Sequence, residues 1–214
     1  MIRLHHCPQT RSMRVLWLLH ELGVPFELRE WPFDKTLRSP EFLALNPSGR
    51  VPALEIDGVH VWESGACLEL LCERFPEAGL GRAPGHGERA AYLTWLHFAE
   101  TISQHSAALT QQHVVLYDDA MRSPIVMKLE AARIGKCYAA LEAGLGEYLL
   151  PTGFSAADVA VGQAVYMAKH FTRLDGFDKL TAWYDRITAR PAFQAALPGD
   201  DKLYPKAFFP AWEL

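Results

Sequence analysis

The run Asn46-Pro47-Ser48-Gly49-Arg50-Val51-Pro52-Ala53-Leu54-Glu55-Ile56-Asp57-Gly58-Val59-His60-Val61-Trp62-Glu63-Ser64 decides how the first part of this chain folds. Asp57-Gly58 tolerates the positive φ angles of a two-residue hairpin turn, so Ala53 to Ile56 and Val59 to Trp62 are expected as two antiparallel strands. Ahead of them, Asn46-Pro47 must end any helix, because a residue before proline is driven out of helical geometry. Pro40 to Leu45 is therefore a short helix. Behind the hairpin, Ser64 opens a helix in which Cys67, Leu70 and Leu71 share one apolar face, ending near Phe75-Pro76.

Outward toward the amino terminus, Ile2 and Leu4 alternate with polar neighbours as a short half-buried strand does. The polar run Cys7-Pro8-Gln9-Thr10-Arg11 interrupts it. Val15, Leu18, Leu19 and Leu22 then recur at helical spacing, with Gly23 where a left-handed cap belongs and Pro25 just beyond. Phe26 to Glu30 reads as a strand. The order β-α-β-α-β-β-α predicts a four-stranded mixed sheet with three helices over residues 1–76. Toward the carboxy terminus, residues 77–86 fall among Pro76, Gly79, Gly81, Pro84, Gly85 and Gly87, too many breakers for a regular element, and read as a linker.

Residues 87–214 are helical throughout. Tyr92, Trp95, Leu96 and Ala99 mark one long helix. Ser123-Pro124 supplies a cap and a first-turn proline for a helix running to about Gly144. Ser155-Ala156-Ala157-Asp158 forms a capping box with Asp in the usual Glu position, a structural role that needs no substrate. Trp183, Tyr184 and Ile187 mark another helix, and the Arg190-Pro191 break starts a short last one.

A chain of 214 residues, half of them hydrophobic, can bury one large core or two modest ones. Its formal net charge of -4 gives no footprint for tracking a phosphate backbone, which argues against nucleic acid as a partner. Arg3, His5 and His6 break any apolar leader, and there is no apolar run of roughly 18 residues to span a bilayer, so a soluble, cytoplasmic protein is expected. Cys7, Cys67, Cys72 and Cys137 lack paired spacing and read as free thiols; no metal site is expected.

The stretch from Asn46 to Leu54 followed by Glu63-Ser64 resembles the glutathione-site signature of the cytosolic glutathione transferases. Arg14-Val15-Leu16-Trp17-Leu18-Leu19 ending in Glu21-Leu22-Gly23, and Trp183 to Arg190-Pro191-Ala192, resemble the same family, so the likeness covers essentially the whole chain. It implies a thioredoxin-like amino-terminal domain, an all-helical carboxy-terminal domain, glutathione as co-substrate, a homodimer and a detoxifying role. It also implies a cis peptide bond before Pro52, which exposes the backbone of Val51 to pair with the cysteinyl unit of glutathione as a short extra strand. Glu63 is expected to hold the γ-glutamyl ammonium. Ser64 and the helix start suit the γ-glutamyl carboxylate. Arg50 stands at the position of the family's basic residue in this loop.

A transferase must favour the thiolate of glutathione, and the group that does so belongs in the loop before the first helix. Thr10 offers a hydroxyl there, resembling relatives that carry Ser or Thr before Arg-Ser, with Arg11 adding local positive charge. Ser12 is a second hydroxyl, or only a helix cap. Cys7-Pro8 resembles the Cys-Pro start of glutaredoxins and omega-type transferases and supports a rival, thiol-disulfide exchange through Cys7; the plain alternative is that Cys7 is a small buried apolar residue. A third reading keeps the fold as a non-catalytic binding module. Phe98, His105, His113 and Tyr117 are candidates to line the pocket of a hydrophobic electrophile, or else belong to the core and surface. The aromatic tail from Tyr204 through Phe208, Phe209 and Trp212 either covers that cleft or packs the domain's flank.

Overall fold

In the computed structural model, which describes residues 1–199 and 202–213, the chain opens with β1 (Ile2–His6) and α1 (Ser12–Leu22). Gly23 ends α1 with φ 64°, its N–H donating to the His20 carbonyl at 3.2 Å, the left-handed cap that the sequence predicts. β2 (Glu27–Glu30) and α2 (Pro40–Leu43) follow, the latter shorter than the expected Pro40 to Leu45 and preceded by a 3-10 turn, Lys35–Arg38, that no sequence signal announces. β3 (Ala53–Ile56) and β4 (Val59–Trp62) form the hairpin, with Asp57 and Gly58 at φ 50° and 82°. α3 (Ser64–Arg74) completes the thioredoxin-like order.

The sheet order is β2-β1-β3-β4, with β1 parallel to β2 and antiparallel to β3. The hairpin register pairs Ala53 with Trp62 and Ile56 with Val59. Inner strands β1 and β3 are mostly buried, while every residue of β2 is exposed. Leu4, Val15, Trp17, Leu18, Leu19, Leu54, Leu68 and Leu71 form the buried interior of this part.

The helical part contains α4 (Arg89–Thr110), α5 (Pro124–Gly144), α6 (Ala156–Ala168) and α7 (Asp178–Thr188). α5 starts as expected, the Ser123 hydroxyl accepting from the Val126 N–H. α4 runs on into a π-helical turn, Gln111–Val115. Ile102, Ile134, Tyr138, Val161, Val165, Leu180 and Trp183 are fully or almost fully buried. Among the described residues, no helix is long and apolar enough to cross a membrane.

The chain divides into two compact units, Met1–Arg89 with Ala189–Leu203, and Ala90–Thr188 with Tyr204–Leu214. Within the stretch 87–214 that the sequence reads as helical domain, α8 (Pro191–Ala195) falls in the first unit and contacts α1. The reason is a specific latch. The Arg190 Nε and Nη2 atoms donate to the two Glu21 carboxylate oxygens at 2.7 Å each, Trp17 Nε1 donates to Glu21 Oε1 at 2.9 Å, and the Phe193 ring meets Trp17 edge-on. Asp200, Asp201 and Leu214, which the sequence reading assigns to the helical domain, lie outside the described residues.

Candidate functional site

The loop entering β3 is built from within. Asn46 is buried; its Nδ2 donates to the Arg50 carbonyl at 2.6 Å, and its Oδ1 accepts from the Ser48 N–H at 2.9 Å and the Ser48 hydroxyl at 2.8 Å. Gly49 sits at φ +65°, and a Cβ there would come within 3.0 Å of the Leu37 carbonyl oxygen. Trp31, Leu37, Phe42 and Ala53 form a cluster beneath the loop, against which Leu45 and Val51 pack. The Val51–Pro52 peptide is cis. Val51 is half-buried, Pro52 buried and Arg50 exposed.

At the start of α3, Glu63 adopts φ 76° and ψ 117°, a region that costs a non-glycine residue on the order of 1–3 kcal/mol. Its side chain is exposed, and it makes no side-chain cap on α3. Such outliers concentrate at ligand clamps. Ser64 is buried and its hydroxyl accepts from Arg14 Nη1 at 3.1 Å. An exposed carboxylate thus stands beside the positive end of a helix, whose first-turn N–H groups have no intrahelical carbonyl, with a buried guanidinium behind the serine.

The loop between β1 and α1 brings four polar groups together. The Thr10 hydroxyl donates to the Cys7 carbonyl at 2.8 Å and lies 2.8 Å from the Ser12 hydroxyl. Ser12 is fully buried; its Oγ accepts from the Cys7 N–H at 3.1 Å and lies 2.8 Å from His6 Nδ1. Burial lowers the pKa of His6 to about 4, so its ring is neutral at neutral pH. Burial also pushes the Cys7 thiol up to about 11, with Glu30 and Asp34 adding to the effect. Burial thus opposes activation of Cys7 by the helix end. Arg11 is half-buried at the N-cap of α1 with no side-chain cap bond. Gln9, held at φ 52°, is buried.

In the helical unit, Phe98 and His105 of α4 meet Arg133, Lys136, Cys137 and Ala140 of α5 around a cavity of about 190 Å³. His105 Nδ1 lies 2.7 Å from Glu130 Oε2. Tyr117 is 86% exposed and does not line this cavity, because it follows the π-helical turn that ends the long helix. The His113 ring lies 5.8 Å from the Phe171 ring and 4.5 Å from Phe208, near-parallel to both, and its Nε2 donates to the Ala211 carbonyl at 2.6 Å. All four cysteines are buried. Among the described residues there is no group of three or more side chains suited to a metal ion.

Three residues of these sites carried no assignment from sequence: His6, Arg14 and Asn46 as an organiser of the loop. For Arg14 the available signal is a charge within the buried face of an apolar helix, which demands a partner. His6 gives none, since its partner is set by the turn that follows.

The family profile described as glutathione S-transferase, N-terminal domain, matches residues 6–74, and that described as glutathione S-transferase, C-terminal domain, matches residues 111–197. The chain is 32% identical over 219 residues to glutathione S-transferase 3 of Zea mays, covering 92% of this chain and 95% of that one. It is 30% identical over 175 residues to maleylacetoacetate isomerase of Pseudomonas aeruginosa, covering 79% and 81%. Among solved structures, a sphingomonad glutathione S-transferase complexed with glutathione superposes with a TM-score of 0.76 at 27% identity, covering 91% of this chain and 96% of that one.

Proposed function

This chain belongs to the glutathione S-transferase superfamily, and we propose that it joins glutathione to a hydrophobic electrophile, with the Thr10 hydroxyl holding the attacking sulfur as thiolate. In this reading the Val51 backbone pairs with the cysteinyl unit, while Glu63 receives the γ-glutamyl ammonium. Ser64 and the first-turn N–H groups of α3 receive the γ-glutamyl carboxylate. Arg50 and Pro52 shape the loop, and Arg11 adds positive charge beside the sulfur. The thiol proton leaves to solvent, the sulfur lone pair forms a bond to the electrophilic carbon, and the leaving group departs with its bonding pair. Phe98 and His105 are the residues proposed for the electrophile; the exposure of Tyr117 speaks against including it. A cytoplasmic homodimer is the proposed form.

Family membership alone does not select the reaction, since one relative is named an isomerase. The observation that carries the choice is the state of the loop from Cys7 to Ser12. Thr10 presents a hydroxyl in a hydrogen-bonded chain, while the Cys7 thiol, at about 11, is protonated at neutral pH and poorly suited to exchange.

The test is conjugation of a generic aromatic halide and reduction of a small mixed disulfide, measured for Thr10→Val and Cys7→Ser. Thr10→Val is expected to lower conjugation on the order of a hundredfold, as loss of one preorganised donor does, and Cys7→Ser to leave it unchanged. If Thr10→Val keeps full conjugating activity while Cys7→Ser loses disulfide reduction, the Cys7 mechanism replaces this one. An intact protein that binds no glutathione at roughly millimolar concentration, a dissociation constant equivalent to only about 4 kcal/mol, is a binding module for something else.

A further inference from the structure

We infer that His6 is a positioning residue for the thiolate site: by donating from Nδ1 it sets the direction of a His6–Ser12–Thr10 hydrogen-bond chain, so that Thr10 faces the glutathione sulfur as a donor. This rests on the Thr10 reading above. Ser12 Oγ has one proton and accepts from the Cys7 N–H; it also lies 2.8 Å from His6 Nδ1 and 2.8 Å from Thr10 Oγ1. Thr10 Oγ1 has one proton and lies 2.8 Å from the Cys7 carbonyl, which can only accept.

The Ser12 proton has three acceptors in reach, His6 Nδ1, Thr10 Oγ1 and the Cys7 carbonyl at 3.2 Å; placed on the carbonyl, it leaves the 2.8 Å contact between the two hydroxyls without a proton, because the Thr10 proton is already on that carbonyl. If Ser12 donated to His6, the proton between the two hydroxyls would have to come from Thr10, and the short contact between Thr10 and the Cys7 carbonyl would hold two acceptors and no proton. If His6 Nδ1 carries the proton, each short contact receives one: His6 donates to Ser12, Ser12 to Thr10, and Thr10 to the carbonyl. Ser12 keeps both lone pairs occupied, by His6 and by the Cys7 N–H. Of the three placements, only this one supplies a proton to each of the three 2.8 Å contacts, and a buried set left unsatisfied is costly. It assigns the Nδ1–H tautomer to a ring that burial keeps neutral, by counting protons and not by observing them.

The consequence concerns the ligand. With the chain running from His6, both Thr10 lone pairs face inward to donors, the Ser12 hydroxyl and the Ser12 N–H at 3.3 Å, and its own proton is the one available to turn from the carbonyl to a sulfur anion. Run the other way, the same hydroxyl would present a lone pair outward and repel a thiolate. Donation along the chain also polarises the last O–H. His6 itself touches neither sulfur nor electrophile in this account.

The experiment titrates the thiol of bound glutathione, by the ultraviolet absorbance of its thiolate, in the full chain saturated with glutathione. His6→Phe removes the donor and is expected to raise the bound thiol pKa by about one unit, a roughly tenfold loss of thiolate at fixed pH, with the glutathione dissociation constant little changed. His6→Asn places an amide N–H near Nδ1 and is expected to restore most of the loss. If His6→Phe does not fold, Ser12→Ala breaks the chain at its middle and is expected to raise the pKa likewise. An unchanged pKa in His6→Phe or Ser12→Ala, beside a raised one in Thr10→Val, overturns the chain and leaves Thr10 standing. Equal rises in His6→Phe and His6→Asn overturn it too, since the effect is then one of shape. No rise in Thr10→Val removes the Thr10 reading, and the chain with it.

Discussion

Of the helices that start beside a buried serine, α6 and α1 start differently. At α6, the Ser155 hydroxyl accepts from the Ala157 N–H at 3.3 Å, and Asp158 takes the Ser155 N–H at 2.9 Å, the Leu149 N–H at 3.0 Å and Trp183 Nε1 at 2.9 Å. A carboxylate only accepts, so the donors aimed at it end there. At α1, the buried hydroxyl of Ser12 stands among a histidine, a backbone N–H and a second hydroxyl. Hydroxyls accept and donate, so in the inferred chain the hydrogen bonding continues to the half-buried Thr10. The first arrangement can do no more than hold a fold together, while the second ends in a donor that a ligand can use.

The largest expected effect comes from opening the closed arrangement. Asp158→Ala orphans the buried Leu149 N–H, the Ser155 N–H and the Trp183 indole, and is expected to cost on the order of 4 kcal/mol in urea unfolding. Glutathione affinity of the folded fraction should be unchanged. A loss below about 1 kcal/mol would show that these donors find other partners.

At α1 the matching effect is on acid stability. The folded state holds the pKa of His6 near 4 against an ordinary 6.5, so between those values the unfolded chain binds the proton that the folded one refuses. Stability therefore rises with pH through this window and is lost as pH falls, by at most about 3 kcal/mol from this one group. His6→Asn should flatten that limb of a pH series of unfolding midpoints; an unaltered limb would place the acid sensitivity elsewhere.

A third helix start, that of α3, sharpens the contrast because Glu63 holds a strained backbone without capping the helix. Glu63→Gly should relieve that strain and raise stability by up to about 1 kcal/mol, while weakening glutathione binding roughly tenfold or more through loss of a charged hydrogen bond. Calorimetry and thermal unfolding on the same sample read both. Unchanged affinity would move the ammonium site away from Glu63. The smallest expected effect is at an ordinary cap: Gly23→Ala, at φ +64° with open space around it, should cost about 1 kcal/mol and leave binding alone.

What the sequence made legible follows the reach of each signal. Asp57-Gly58, Gly23 and Ser123-Pro124 act on their immediate neighbours, and the hairpin, the α1 cap and the α5 start stand where those residues put them. The latch that carries α8 to α1 was not legible, because Arg190 and Glu21 lie 169 residues apart and nothing near either announces the other. Tyr117 was grouped with Phe98 and His105 as a candidate for the pocket, but a π-helical turn intervenes and leaves it exposed. Thr10, Ser12 and Cys7 were each singled out as chemical groups, with Thr10 ahead of Cys7 and Ser12, but the burial that raises the Cys7 thiol and the His6 ring that reaches Ser12 across the turn were not readable. Glu63 was expected at the ligand, but its left-handed backbone has no sequence signal, since glycine is the residue that normally marks one.

The central claim is that this loop holds glutathione as a thiolate without a protein sulfur, and one titration addresses it directly. The thiol pKa of glutathione bound to the unaltered protein, read by ultraviolet absorbance against free glutathione, should lie at least about one unit below the ordinary thiol range near 8.5. Cys7→Ser should give the same value. A bound thiol that titrates as it does in free solution, or a depression that disappears with Cys7→Ser, would contradict the account.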